Sequence, residues 1–264
     1  MVLAVIYTVA LFSIFHPPIL QHRFGVYYIL GFTPEVLRLQ DKMKNVEKIY
    51  TGLCVLFSVL IVVGNLTYQK FVVLSILPFH TFEISVGAVL YPLTFLITDL
   101  ITEFYGKEKA RFCVRFAIVT NTLVATIIAG MDALPAVSWS KIDHVTFHKV
   151  FGLYYIAFTS SLIACYISQT VDISLYLWLR KITKGKYLWI RNNGSTAVSL
   201  LIDTCTVITF MTIFAVLPKE QMLPLIINSY AWKLFFTVFS TPLFYLCFGI
   251  IRLFIPQQAL NTKI

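Results

Sequence analysis

Charge is what this chain has least of. Asp, Glu, Lys and Arg make up 12% of its 264 residues, where a soluble domain carries roughly 25%. Acids are scarcer than bases, 12 against 21 Lys and Arg, which leaves a formal net charge of +9. The signatures of catalysis and metal binding are also missing. The five cysteines (Cys54, Cys113, Cys165, Cys205 and Cys247) form no Cys-x-x-Cys pair and keep no ligand spacing to a histidine, so neither a disulfide framework nor a metal centre is indicated. There is no Gly-x-Ser-x-Gly elbow, no His-Glu-x-x-His and no glycine-rich phosphate loop. These absences argue against an enzyme and against a resident cofactor.

What fills the chain instead is apolar. Hydrophobic residues reach 58% and aromatics 16%, with a mean hydropathy of +0.82. The apolar residues gather into six long segments, at about residues 49–70, 82–104, 111–131, 149–180, 188–217 and 227–255. Each is long enough to cross a hydrocarbon core of ~30 Å as a helix, and no soluble domain fits between them. The expected fold is an all-α integral membrane protein, a six-helix transmembrane bundle over 49–256. Residues 1–48 form an extension and residues 257–264 a tail. Val2–Phe15 is apolar but only 14 residues long, with no positive residue before it. It reads as a short extra hydrophobic segment rather than a signal peptide or a full span.

The basic residues mark topology. Arg23, Arg38, Lys42, Lys44 and Lys48 precede the first long segment. Lys107, Lys109, Arg111 and Arg115 follow the second; Arg180, Lys181, Lys184, Lys186 and Arg191 follow the fourth; Arg252 and Lys263 close the chain. These total 16, against four in the alternate loops (Lys70, Lys141, Lys149 and Lys219) and Lys233 inside the last segment. The asymmetry places both ends of the six-helix core in the cytoplasm. It also accounts for the positive charge without nucleic acid, which the chain is not expected to bind.

Polar residues inside the apolar segments carry the chemistry. The stretch YPLTFLITDLITEFYGKEKAR (Tyr91–Arg111) sets Asp99 and Glu103 at i and i+4 on one helix face, beside a stripe of Thr94, Thr98 and Thr102. Carboxylates at membrane depth are costly against lipid and mark buried sites. Gln169 and Asp172 share a face in the fourth segment. In the fifth, Ser195, Ser199 and Asp203 step along a helix at fours, after Asn192. Asn65 ends the first segment near Lys70, and Lys233 is available as a counter-ion for one of the acids. Hydroxyls and amides of this kind also serve as glue between helices.

Three blocks, YPLTFLITDLITEFYGKEKAR, then YISQTVD (Tyr166–Asp172), then LWIRNNGSTAVSLLIDT (Leu188–Thr204), together resemble the queuosine-precursor transporter family of vitamin-uptake-like membrane proteins. That family shows Pro-Leu-Thr-Phe…Thr-Asp…Thr-Glu-x-Tyr-Gly, Gln-x-x-Asp and Arg-x-Asn…Ser-Thr…Ile-Asp-Thr in this order, with an Asn…Lys ending its first helix. The resemblance spans roughly residues 53–253. It departs at Leu200-Leu201, where the family often has Gln. It implies import of a 7-deazaguanine queuosine precursor, the pre-queuosine base or queuine, across a bacterial inner membrane for tRNA-modification salvage. The expected partners are a small purine-like base and the lipid bilayer. The candidate substrate-binding residues are Asn65, Asp99, Glu103, Gln169, Asp172, Asn192 and Asp203. Carboxylates would accept the N–H donors of a guanine-like edge, and amides would serve its keto and ring-nitrogen acceptors. The alternative is a membrane binding subunit for a purine-like or vitamin-like ligand that needs an energising partner.

Overall fold

A computed structural model describes residues 34–77, 80–152 and 154–254. The Val2–Phe15 segment and the 257–264 tail lie outside the described residues. The chain divides into two compact units, Met1–Asn45 and Val46–Ile264. The described part of the first is helical from Pro34. The second holds everything that follows.

The elements in order are α1 (Pro34–Thr67), β1 (Phe71–Leu77), β2 (His80–Ser85), α2 (Val86–Val89), α3 (Pro92–Tyr105), α4 (Lys107–Asp132), α5 (His144–Phe151), α6 (Tyr154–Ile182), α7 (Leu188–Ile213), α8 (Met222–Phe239) and α9 (Thr241–Phe254). Among the described residues, six helices are long and apolar enough to cross a membrane: Asn45–Thr67, Val86–Tyr105, Lys107–Asp132, Phe158–Ile182, Leu188–Ile213 and Lys219–Phe239. The protein is a multi-pass helical membrane protein. Lipid-facing sides carry the exposed apolar residues, such as Phe112, Phe116, Val119 and Leu123 on α4, whereas the polar residues of α3, α6 and α7 turn inward.

Three of the sequence boundaries need correction. Residues 82–85 are not the start of a helix but lie in an antiparallel hairpin, with Phe71 opposite Ser85 and Leu74 opposite Phe82. β2 alternates as a half-buried strand should, with Phe82 and Ile84 buried and Thr81 and Glu83 not. Phe82 sets its ring against Trp232 of α8 at 5.5 Å, and the Trp232 indole N–H donates to the Val89 carbonyl at 3.2 Å. The stretch 149–180 is likewise two helices, α5 and α6. Asp143 caps α5 by accepting the Thr146 backbone N–H at 2.6 Å, which holds its carboxyl below the usual range. His148 pairs through Nδ1 with Asp132 at 2.7 Å. The last apolar segment breaks at Ser240, so that α8 and α9 are separate. Pro242 at the second position of α9 has no N–H to continue the ladder.

Two glycines fix the path of the chain around α3. Gly106 joins α3 to α4 with φ +82°, a conformation that side-chain-bearing residues rarely adopt. Gly87 in α2 packs against α1 so closely that a Cβ would lie 2.2 Å from the Gly64 carbonyl oxygen. Gly87→Ala is therefore expected to force α1 and α2 apart at a cost of about 1–3 kcal/mol. The check is a lower thermal midpoint in detergent than wild type. An unchanged midpoint would show that this backbone approach is not needed.

Candidate functional site

The candidate residues fall into three connected groups along the bundle. The first surrounds a cavity of about 110 Å³, lined by Asn65, Tyr68, Tyr91, Asp203, Ser229 and Lys233 among others. It lies beside the root of the hairpin, at the end away from the cluster of basic residues. Its floor is an ion pair: Lys233 Nζ donates to Asp203 Oδ2 at 2.9 Å and to Thr204 Oγ1 at 3.0 Å. Both side chains of the pair are 5% exposed. The Tyr91 hydroxyl donates to Asp203 Oδ1 at 2.7 Å, and Ser168 does so at 3.3 Å. Lys233 also sits 4.7 Å from the centre of the Tyr91 ring, close enough for a cation–π attraction. On the opposite wall Asn65 accepts from Ser161 at 2.7 Å and donates to Asn121 at 3.3 Å. Asn121 is fully buried on α4 and donates in turn to the Ala117 carbonyl at 2.8 Å.

The second group lies below the cavity floor. Gln169 is fully buried, accepting from Thr98 at 2.8 Å and donating to Thr94 at 3.5 Å. The rest of the threonine stripe bonds back to its own helix: Thr94 donates to the Tyr91 carbonyl and Thr102 to that of Thr98, each at 2.7 Å. Asp99 and Asp172 are neighbours, both 0% exposed, with Ser195, Thr196 and Ser199 of α7 around them. Asn192 is buried near the start of the same α7 face.

The third group closes the basic end. Arg191 donates to Glu103 Oε1 at 3.1 Å and to the Gly185 carbonyl at 2.9 Å. The Tyr176 hydroxyl donates to Glu103 Oε2 at 3.0 Å, while Arg180 stands 3.9 Å from the same oxygen. This knot joins α3, α6 and α7 across the side opposite the cavity.

Of the seven candidates, Asn65 and Asp203 line the cavity. Asp99, Gln169, Asp172 and Asn192 are packed beneath it, and Glu103 is committed to Arg191. The sequence reading gave Tyr91, Tyr176 and Arg191 no place among the site residues, and it counted Arg191 with the topology charges. Nothing local distinguishes these tyrosines from the other twelve of the 14; only the fold puts their hydroxyls on carboxylates.

The profile of a family described as "Putative vitamin uptake transporter" matches residues 85–247, more than half of the chain. The chain is 32% identical over 162 residues to a Bacillus subtilis protein named "Probable queuosine precursor transporter", covering 61% of this chain and 70% of that one. It is 27% identical over 145 residues to the Escherichia coli "Queuosine precursor transporter", covering 55% of this chain and 61% of that protein. No solved structure matches it significantly. The matched region contains the Asp203–Lys233 pair, the acids beneath it and the Glu103–Arg191 knot.

Proposed function

The chain belongs to the vitamin uptake transporter family, and from that premise we propose that it transports a 7-deazaguanine queuosine precursor into the cell for tRNA-modification salvage. The observation that carries this reading is the cavity floored by the buried Asp203–Lys233 pair. Burying an ion pair costs several kcal/mol per charge and is rarely the most stable way to fill a core. An ion pair exposed to a cavity instead offers a ready acceptor and donor to an incoming ligand. The N–H donors of the base would meet Asp203, its keto group would meet Lys233 or Asn65, and its flat ring would stack on Tyr91 or Tyr68. Asp99, Gln169, Asp172 and Asn192 support this site from below. Glu103 with Arg191 closes the route to the cytoplasm while the cavity is open on the other side.

The same arrangement supports a reading of the orientation. α9 is described over Thr241–Phe254. It touches the basic end, through Thr241 hydrogen-bonded to Asn193 and Phe248 packed 5.0 Å from Phe104. With the basic end read as the cytoplasmic side, these contacts support a C-terminus on the cytoplasmic side of the bacterial inner membrane.

The test is uptake of labelled pre-queuosine base and queuine in cells that neither make nor import them. Expression of the chain is expected to restore accumulation of at least one, together with queuosine in tRNA. If neither accumulates although the protein is in the membrane, the substrate reading fails. Uptake that appears only with a co-expressed soluble ATPase would turn the chain into a binding subunit.

A further inference from the structure

The charges at membrane depth do not balance. Among the described residues, four acids are buried or nearly so inside the bundle: Asp99, Glu103, Asp172 and Asp203. Two cations are buried with them, Arg191 and Lys233. Arg191 is matched by Glu103 and Lys233 by Asp203. Asp99 and Asp172 are left beside each other with no cation.

Nor do hydrogen bonds settle them. Asp99 Oδ2 has only the Thr196 hydroxyl, at 3.5 Å. Asp99 Oδ1 and both oxygens of Asp172 are buried with no donor in hydrogen-bond geometry; their neighbours are each other and the hydroxyls of α7. The Ser195 and Ser199 hydroxyls stand near Asp172. Their single protons already go to the backbone carbonyls of Arg191 and Ser195, at 2.8 and 2.9 Å. Those hydroxyls are therefore shared with the backbone, and none of them carries a charge that could offset the pair. Two carboxylates packed together away from water cannot both carry charge, and such a pair shares a proton. Neither residue lines the cavity, and among the described residues no group of three or more His, Cys, Asp or Glu side chains is placed to hold a metal ion. A proton needs no such group.

We propose that Asp99 and Asp172 together hold one proton, and that this proton is the ion whose movement drives uptake. The inference rests on the transport reading above. The site lies within reach of the cavity: Ser199, beside Asp172, is one helical turn from Asp203, about 6 Å along α7. In the cycle, a proton from the outer side adds to a carboxylate oxygen by way of the cavity. It leaves to cytoplasmic water when the basic end opens. One proton and one base move in the same direction, and no electrons are exchanged. The other ionisable groups facing the pair are engaged: Glu103 on α3 with Arg191 of α7, and Tyr176 on α6 with Glu103; Asp203, further along α7, is engaged with Lys233 of α8.

The test uses the full chain purified into liposomes with labelled pre-queuosine base. Exchange of inside for outside label needs no driving force and tests the transport reading alone; no exchange by wild type would sink that reading and the inference with it. With the lumen one pH unit more alkaline than the outside, wild type is expected to accumulate the base up to about tenfold, the ceiling for one proton per base. A trapped pH dye should report lumen acidification as the base enters. Asp99→Asn and Asp172→Asn are each expected to lose the accumulation and acidification that wild type shows. An infrared difference spectrum at pH 7, wild type minus Asp172→Asn, should show a protonated-carboxyl band, and this readout does not depend on transport. The proposal is overturned if wild type exchanges but does not respond to the pH gradient. It is equally overturned if accumulation follows a sodium gradient, if the variants accumulate like wild type, or if the infrared band is absent.

Discussion

Lys233→Met is expected to abolish precursor uptake and to lower the thermal midpoint of the purified protein by roughly 10 °C. Lys233 is 4% exposed and supplies the sole cation within bonding distance of Asp203 among the described residues. Methionine fills similar space but leaves a buried carboxylate with the Tyr91 and Ser168 hydroxyls as its donors. Removing one partner of a buried pair costs about 3–5 kcal/mol, because the other charge stays desolvated. An exposed pair such as Arg111–Glu108, 3.8 Å apart with Glu108 82% exposed, is worth at most about 1 kcal/mol. The double variant Lys233→Met/Asp203→Asn removes both charges. It is expected to recover most of the thermal midpoint but none of the uptake, since the acceptor for the base is gone. Asp203→Asn alone keeps the shape and one acceptor oxygen and should also impair uptake. Glu108→Gln should leave both readouts unchanged. The measurements are label uptake in cells and unfolding in detergent. If Lys233→Met transports and melts like wild type, the cavity floor is not the substrate site.

This pair also shows what the sequence could reveal and what it could not. Lys233 inside an apolar segment reads at once as a counter-ion, because a lone ammonium at membrane depth needs one. Which of the acids it meets is a matter of how α7 and α8 pack, and 30 residues separate the partners. The same holds for Arg191 and Glu103, 88 residues apart: at a helix start beside Lys184 and Lys186, an arginine cannot be told from a topology signal. Helices whose cause is local were legible. The end of α3 was placed at about residue 104, though not its start at Pro92, and its abrupt stop follows from Gly106, which takes the positive φ that ends it. The inward face of Asp99 follows from the cost of a carboxylate in lipid. The hairpin was hidden because Phe71–Leu77 fell between two apolar segments and residues 82–85 passed as the start of the second. The contact that settles β2, Phe82 on Trp232, spans 150 positions. The break between α8 and α9 was half legible, since Pro242 marks a weak point. Whether a helix bends there or starts afresh depends on what α9 finds to pack on, which is Phe104 and Asn193.

Arg191→Met should have an effect as large, at the other end of the bundle and by a different route. Arg191 is 2% exposed and spends its fork on two targets, Glu103 of α3 and the Gly185 carbonyl of the turn before α7. Its guanidinium also stands 5.7 Å from the Tyr176 ring of α6. Three helices are thus tied through one side chain. Its loss leaves Glu103 with the Tyr176 hydroxyl and the distant, 29% exposed Arg180, and the expected cost is about 3–5 kcal/mol. Arg191→Lys keeps the charge but cannot reach both targets as a planar fork, so its effect should be intermediate. Tyr176→Phe removes one hydrogen bond to a charged group and should cost less, about 1.5–3 kcal/mol. Stability alone would not distinguish a closure from a structural tie, so accessibility is the deciding readout. Ser195, one turn into α7 from Arg191, is fully buried. In the charge-free background Arg191→Met/Glu103→Gln, Ser195→Cys is expected to react with an impermeant maleimide from the cytoplasmic side. In the wild-type background it should not, with labelling of the five native cysteines subtracted in both. If Ser195→Cys stays unreactive in both, the knot holds helices together without guarding a passage, and release to the cytoplasm takes another route.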